Sequence, residues 1–217
     1  PGEEDDMKTT DLIDMLATEA GPAPRAVAAR RLSPALAAGL AIGVAATLLL
    51  IGPIPASLWR DPAPWIKLAY AGGLIAGAAW LTARLGRPVA RIRSPSLALA
   101  AVATAMAAVA ALTLLGTPFG ERLAVVFGHS WARCPTNVLL LSLPALAGVL
   151  WALRGLAPTR PRLAGAAAGL AAGGVGAFAY ALSCTELSPA FVAVWYSLGV
   201  ALATALGAML GPRVLRW

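Results

Sequence analysis

Residues 163–182 read LAGAAAGLAAGGVGAFAYAL, twenty consecutive residues without an Asp, Glu, Lys, Arg or His. A helix of that length is about 30 Å long, which matches the hydrocarbon core of a bilayer. Gly165, Gly169 and Gly173 recur at four-residue intervals, so they share one face of the predicted helix. The stretch therefore predicts a membrane-spanning helix whose small residues allow close contact with a neighbouring helix.

Five further apolar stretches flank this one, and each is long enough to cross a membrane. The six predicted spans are residues 34–51, 65–85, 96–116, 136–153, 163–182 and 189–210. The chain has 217 residues, of which 59% are hydrophobic and 12% charged, outside the balance of soluble globular domains. The predicted fold class is all-α, a polytopic bundle of six transmembrane helices. Similar four-residue glycine intervals in other spans favour packing within the bundle over a dimer interface.

Basic residues are concentrated on alternate connections between the spans. One side carries Lys8, Arg25, Arg30, Arg31, Arg84, Arg87, Arg91, Arg93, Arg154, Arg160, Arg162, Arg213 and Arg216. The other carries only Arg60, Arg122 and Arg133, with Lys67 at an interface. The positive-inside rule then places both ends of the chain in the cytoplasm. Topology also accounts for the net charge of +7, so no nucleic-acid partner is needed to explain it.

The chain before the first span divides into two pieces. Residues 1–6 precede Met7 and are interpreted as an added leader or an upstream extension. Residues 7–32 form a cytoplasmic N-terminal segment, and residues 33–217 form the transmembrane domain. No cleavable signal peptide is predicted, because the first apolar stretch follows a polar, partly acidic segment and precedes five more.

Within that segment, residues 8–19 predict a short amphipathic helix. Leu12, Ile13 and Leu16 fall on one face, and Gly21, Pro22 and Pro24 end the helix. A helix lying on the membrane surface carries Lys and Arg on its polar face. Here the polar side chains are Asp11, Asp14 and Glu19, which anionic lipids repel. A groove on a cytoplasmic protein is therefore the expected partner of the apolar stripe.

The chemistry-bearing residues of the other side lie in two loops. Cys134 follows His129 and Arg133, and Cys184 precedes Glu186. Two thiols in an oxidising compartment can form a permanent disulfide between the loops. They can also act as a redox-sensitive pair, since exposed cysteines beside a cation such as Arg133 have enhanced thiolate character. A metal site is the least supported interpretation. Its ligands would be His129, Cys134, Cys184 and Glu186, whose spacing matches no dedicated motif.

Other activities find little support in the sequence. The span interiors lack Asp, Glu, Arg and His away from their ends, which weakens a transporter, although a small-solute transporter or exporter stays an alternative. A membrane thiol-redox enzyme would present a C-x-x-C pair, and the chain has none. No catalytic residues, cofactor or nucleotide fingerprint are predicted, and the protein is not expected to be an enzyme. The sequence does not define the oligomeric state.

The head sequence Thr10, Asp11, Leu12, Ile13, Asp14, Met15, Leu16 before six spans, with one cysteine in each of the last two outward loops, resembles the NrsF-like membrane anti-sigma factors. This resemblance covers residues 7–217, and its most specific parts are residues 11–16 and the two cysteines.

The resemblance implies an inner-membrane protein that holds an extracytoplasmic-function sigma factor inactive at the cytoplasmic face. An envelope oxidant or heavy metal would release that partner, with Cys134 and Cys184 as the sensing pair in periplasmic loops. The residues implied to contact the sigma factor are Asp11, Leu12, Ile13, Asp14, Met15 and Leu16. Sigma factors bind promoter DNA through basic surfaces, so acidic side chains have a physical reason to compete for them.

Overall fold

The computed structural model describes residues 9–19, 27–87, 91–156 and 158–216 of the chain. The interpretation of residues 1–6 and the proposed helix stop at residues 21–24 lie outside these ranges. Eight α-helices are described, besides two short 3₁₀ helices at Ala56–Arg60 and Phe119–Glu121. The α-helices are α1 (Thr9–Glu19), α2 (Val27–Leu50), α3 (Pro62–Leu85), α4 (Arg93–Leu115), α5 (Arg122–Phe127), α6 (Cys134–Arg154), α7 (Pro161–Ala181) and α8 (Pro189–Val214).

Six of these helices, α2, α3, α4, α6, α7 and α8, are long and apolar enough to cross a membrane. The predicted all-α, six-span fold is therefore confirmed. Helix α1 confirms the predicted short helix before the first span, and α5 is a further short helix between α4 and α6.

The first span begins earlier than predicted. Helix α2 starts at Val27 and continues through Pro34, so the predicted boundary between residues 32 and 33 falls inside one helix. Proline removes one backbone hydrogen bond, that of the carbonyl four residues earlier, which belongs to Arg30. This carbonyl lies in the first turn of α2, where the headgroup region or water can satisfy it.

Helix α7 lies at the centre of the bundle, and its glycines meet the backbone of α8. A Cβ at Gly165 would overlap the Gly207 carbonyl oxygen, and one at Gly169 would lie 2.8 Å from the Thr204 Cα. On another side of the bundle, a Cβ at Gly39 of α2 would lie 2.5 Å from Ala145 of α6. The predicted use of glycine faces for packing within the bundle is confirmed at these seams.

The bundle has two chemically different ends. At the cysteine end, the end of α2, the start of α3 and the residues after α7 meet: the Ile54 N–H donates to the Leu182 carbonyl at 2.9 Å. At the arginine end, the start of α2 and the ends of α6 and α8 meet: Arg154 Nε donates to the Val214 carbonyl at 2.8 Å. The two cysteines lie at the first end and most of the described arginines at the second.

Candidate functional site

Both cysteines lie inside the bundle at its cysteine end. Cys134 is 0% exposed and Cys184 is 4% exposed, and they belong to one buried cluster. Both thiols are free. The prediction that the cysteines are exposed is therefore wrong. Cys134 begins α6 and faces the core, and the segment carrying Cys184 folds back onto the end of α7, where the Cys184 N–H donates to the Tyr180 carbonyl at 3.0 Å.

Lys67 of α3 holds the segment that carries Cys184. Its side chain is completely buried, and Nζ donates to the carbonyl oxygens of Cys184 at 2.6 Å and Glu186 at 2.8 Å. Sequence reasoning placed this lysine at an interface and gave it no role. The sequence did mark Lys67 as unusual, because it is the single lysine in any predicted span. A buried cation is costly unless it is hydrogen-bonded, so such a lysine needs partners.

Glu186 joins this segment to the connection between α5 and α6. Its Oε1 accepts hydrogen bonds from the His129 N–H at 2.7 Å, the Ser130 N–H at 2.9 Å and the Ser130 hydroxyl at 3.1 Å. Gly128 makes this approach possible: it has a φ of +54°, and a Cβ there would lie 2.6 Å from Glu186 Oε2. Lys67 and Glu186 thus form a polar clasp over the buried thiols.

The structure does not assemble the four predicted metal ligands. The His129 side chain is fully exposed, and its Nδ1 lies 3.9 Å from a Glu186 oxygen that already accepts backbone hydrogen bonds. Across the described ranges, no group of three or more His, Cys, Asp or Glu residues is placed to hold a metal ion. Of the four, Cys134 and Cys184 share one buried cluster.

Tyr196 is a second residue that sequence reasoning missed. It lies in a π-helical turn, Val192–Tyr196, within α8, and such turns are frequent at functional sites. Its hydroxyl is buried and has no hydrogen-bond partner among the described residues. The Tyr180 ring lies 5.8 Å away. The sequence carries no signal for this arrangement, because a π-turn depends on tertiary packing.

An aromatic cluster covers the cysteine end beside the clasp. The rings of Phe127, Trp131 and Trp195 lie 5.3–5.6 Å apart in tilted or edge-on geometry. Trp195 Nε1 also donates to the Val126 carbonyl at 2.9 Å, which ties α5 to α8. A reagent from the adjacent aqueous phase reaches the thiols only when the clasp or this cluster opens.

The second candidate site is α1. Ile13 and Met15 are each 59% exposed, and Asp14 is exposed. The side chains of Asp11, Leu12 and Leu16 lie outside what the structure describes. Exposed apolar side chains on a helix ahead of the bundle suit a surface that binds another protein.

The fold and the sites together define a polytopic helical membrane protein with a short exposed helix ahead of its bundle. A family model described as "Negative regulator of sigma F", NrsF, matches residues 16–217. The chain belongs to this family of anti-sigma factors.

Two relatives match almost the whole chain. The probable anti-sigma-F factor NrsF of Azospira oryzae is 41% identical over 97% of this chain and all of its own length. The anti-sigma-F factor NrsF of Caulobacter vibrioides is 42% identical over the same shares. No solved structure matches.

Family membership confirms the resemblance seen in the sequence and several of its consequences. The protein is a regulator rather than an enzyme, and its partner is a sigma factor. The family model begins at residue 16, so residues 11–15 of α1 lie ahead of the matched region.

Proposed function

We propose that the chain is an inner-membrane anti-sigma factor that holds an extracytoplasmic-function sigma factor through α1 and releases it when the thiol pair reacts. The residues proposed to contact the sigma factor are Asp11, Leu12, Ile13, Asp14, Met15 and Leu16. The sensing residues are Cys134 and Cys184, and the observation that carries the proposal is their burial together beneath the clasp in a family of anti-sigma factors.

The charge of the two bundle ends supports the orientation. Arginines at the start of α2 and the ends of α6 and α8 share one end of the bundle, and the cysteines lie at the other. The positive-inside rule assigns the arginine end to the cytoplasm and the cysteine end to the periplasm. Helix α1 precedes α2 and so belongs on the side where a sigma factor is found.

The chemistry proposed for the thiols is a two-electron oxidation by hydrogen peroxide. The two S–H bonds and the O–O bond break, one S–S bond forms, and the two protons leave with the peroxide oxygens as two molecules of water. A soft divalent cation would act differently, by displacing the two thiol protons and bridging the sulfur atoms. Because both thiols are buried, either reaction requires the clasp of Lys67 and Glu186, or the aromatic cluster beside it, to open.

Two packed helices, α6 and α2, connect the thiols to the segment that carries α1. Cys134 is the first residue of α6, and α6 packs along α2 where Gly39 meets Ala145. Helix α2 begins at Val27, eight residues after α1 ends. A shift of α6 would therefore move the start of α2 and the segment that joins it to α1. Release of the sigma factor requires two arrangements of the bundle with different affinity for it.

The test is a reporter driven by the sigma factor, measured before and after addition of hydrogen peroxide or cadmium. The Cys134→Ser, Cys184→Ser variant should keep repression. The increase in reporter expression on addition of the inducer should fall at least about tenfold, which is toward the lower end of the range of allosteric coupling. Ala181→Ser, which places a hydroxyl in the same cluster and keeps both thiols, should still respond. An unchanged response of the double variant contradicts sensing by these cysteines. Lost repression by a protein still present in the membrane indicates a structural role instead.

A further inference from the structure

We propose that a cavity between α2 and α6 at the arginine end binds the phosphate group of an anionic phospholipid from the cytoplasmic leaflet. The cavity measures about 530 Å³, and its polar walls are Arg30, Arg31 and Arg154. The inference rests on the proposed orientation of the bundle. It uses neither the thiols nor the proposed contacts of α1. The sigma-factor proposal can therefore fail while the lipid site stands.

The packing of α2 against α6 fixes one wall of the cavity. A seam of small residues joins the two helices: Gly39 meets Ala145, and one turn away Gly148 meets Ala35 with a Cβ distance of 3.4 Å. Another turn along, Arg31 takes the corresponding place on α2. Its guanidinium lies over the backbone of Gly155, where a Cβ would overlap it. Because Gly155 has no side chain, the Arg31 guanidinium has room to lie at the wall of the cavity.

The cavity concentrates positive charge without a matching carboxylate. Arg30, Arg31 and Arg154 are all exposed. Among the described residues, the one basic side chain within 4 Å of a carboxylate oxygen is His129, which lies beside Glu186 at the opposite end. Arg154 uses Nε for the Val214 carbonyl, which leaves its terminal nitrogens available. Neighbouring guanidinium groups repel each other unless an anion lies between them, and their planar forks match the oxygens of a phosphate.

The outer face of α6 indicates that this phosphate belongs to a lipid. Leu140, Leu143, Ala147 and Trp151 are exposed along one stripe, and the stripe ends at Arg154. Trp151 is 76% exposed and also lines the cavity, the position expected of an indole ring at the headgroup level. An acyl chain can lie along this stripe while its phosphate reaches the arginines. Basic cavities between spanning helices on the cytoplasmic side commonly hold anionic headgroups.

The experiment measures lipid binding to the full chain in detergent by native mass spectrometry. Dioleoylphosphatidylglycerol is compared with dioleoylphosphatidylcholine, and inorganic phosphate forms a separate arm. The cavity variant is Arg30→Gln, Arg31→Gln, Arg154→Gln. Its matched control, Arg87→Gln, Arg91→Gln, Arg93→Gln, removes three exposed cations from the same end of the bundle. Arg154→Gln alone serves if the triple variant does not fold.

The wild-type chain and the control should prefer phosphatidylglycerol, and the cavity variant should lose about 100-fold in affinity for it, the sum expected from three basic residues. Arg154→Gln alone should lose several-fold. Equal loss in both triple variants would overturn the site in favour of non-specific attraction. Phosphate that binds as tightly as phosphatidylglycerol would overturn the lipid as its source. A truncation lacking residues 1–19 that binds phosphatidylglycerol at least tenfold better would assign the cavity to the acidic head of the chain.

Discussion

The cysteine end and the arginine end of the bundle differ in how their polar groups are satisfied. At the cysteine end, Lys67 and Glu186 are hydrogen-bonded within the chain and cover two buried thiols. At the arginine end, guanidinium groups line open cavities. Helix α1, which precedes α2 in the chain, presents exposed apolar side chains. The first end is closed by its own residues, whereas the second presents groups that suit external partners.

This contrast fits a sensor at one end and an effector at the other. Burial hides the two thiols from reagents in the solvent, so the proposed sensing reaction requires this end of the bundle to open. The exposed guanidinium groups of the arginine end and the exposed apolar side chains of α1 stay available for binding. Substitutions should therefore change thiol accessibility at the first end and partner affinity at the second.

The largest effect is expected from Lys67→Met at the cysteine end. This change leaves the Cys184 and Glu186 carbonyls without their shared donor, so the open form gains about 3 kcal/mol, equivalent to about 100-fold in population. Maleimide labelling of the thiols in intact membranes should accelerate by that factor.

Arg60→Met is the control for Lys67→Met, because it removes an exposed cation from the same end. Its labelling rate should match that of the wild type. Equal rates for Lys67→Met and the wild type would show that the clasp does not limit access to the thiols.

A smaller effect at the same end is expected from Glu186→Gln. The amide still accepts hydrogen bonds from His129 and Ser130, but these bonds lose their charge assistance, at a cost of about 1.4 kcal/mol or tenfold in opening. The same labelling assay measures the rate. Glu121→Gln, a change of an exposed carboxylate near α5, should leave the rate unchanged. A Glu186→Gln rate below twice that of the wild type contradicts a role for its charge.

At the arginine end, Gly155→Ala should affect binding rather than stability. The added Cβ meets only the far end of Arg31, which can swing away, so the free energy of unfolding should change by less than about 0.5 kcal/mol. Displacing that guanidinium should weaken phosphatidylglycerol binding about threefold, on the scale of part of one basic contact. Thermal unfolding and native mass spectrometry measure the two quantities. A drop in thermal midpoint of more than a few degrees would show that this end is packed as tightly as the other.

A small effect, on stability alone, is expected from Tyr196→Phe. Because the buried hydroxyl has no hydrogen-bond partner among the described residues, removing it should change the free energy of unfolding by no more than about 1 kcal/mol, in the stabilising direction. Chemical denaturation in detergent measures this difference. Destabilisation by more than 2 kcal/mol would reveal a partner for the hydroxyl and make Tyr196 part of the clasp.

Much of the fold could be predicted from hydrophobic length and glycine spacing. Gly165, Gly169 and Gly173 lie on the face that α8 contacts, because a four-residue interval places small residues on one side of a helix. The start of α2 could not be predicted as well, since Pro34 was expected to begin the span. A proline is tolerated seven residues inside the helix where the unpaired carbonyl lies near the membrane boundary.

The candidate site was predictable only in part. Cys134 and Cys184 were identified from residue type, but their burial was not, because it depends on how the segment after α7 folds back onto the bundle. Lys67 was assigned to an interface and given no role. Its hydrogen bonds join residues more than 100 positions apart, which local sequence patterns do not reveal.

The central claim, that α1 holds the sigma factor, is tested most directly by affinity co-purification of the full chain from detergent-solubilised membranes. Bound proteins are identified by mass spectrometry for the wild type, for Leu12→Ser, Ile13→Ser, Leu16→Ser, and for the control Thr9→Ser, Thr10→Ser, Thr18→Ser in the same helix. We expect one extracytoplasmic-function sigma factor with the wild type and the control and none with the first variant. Equal recovery of the sigma factor with all three would contradict it.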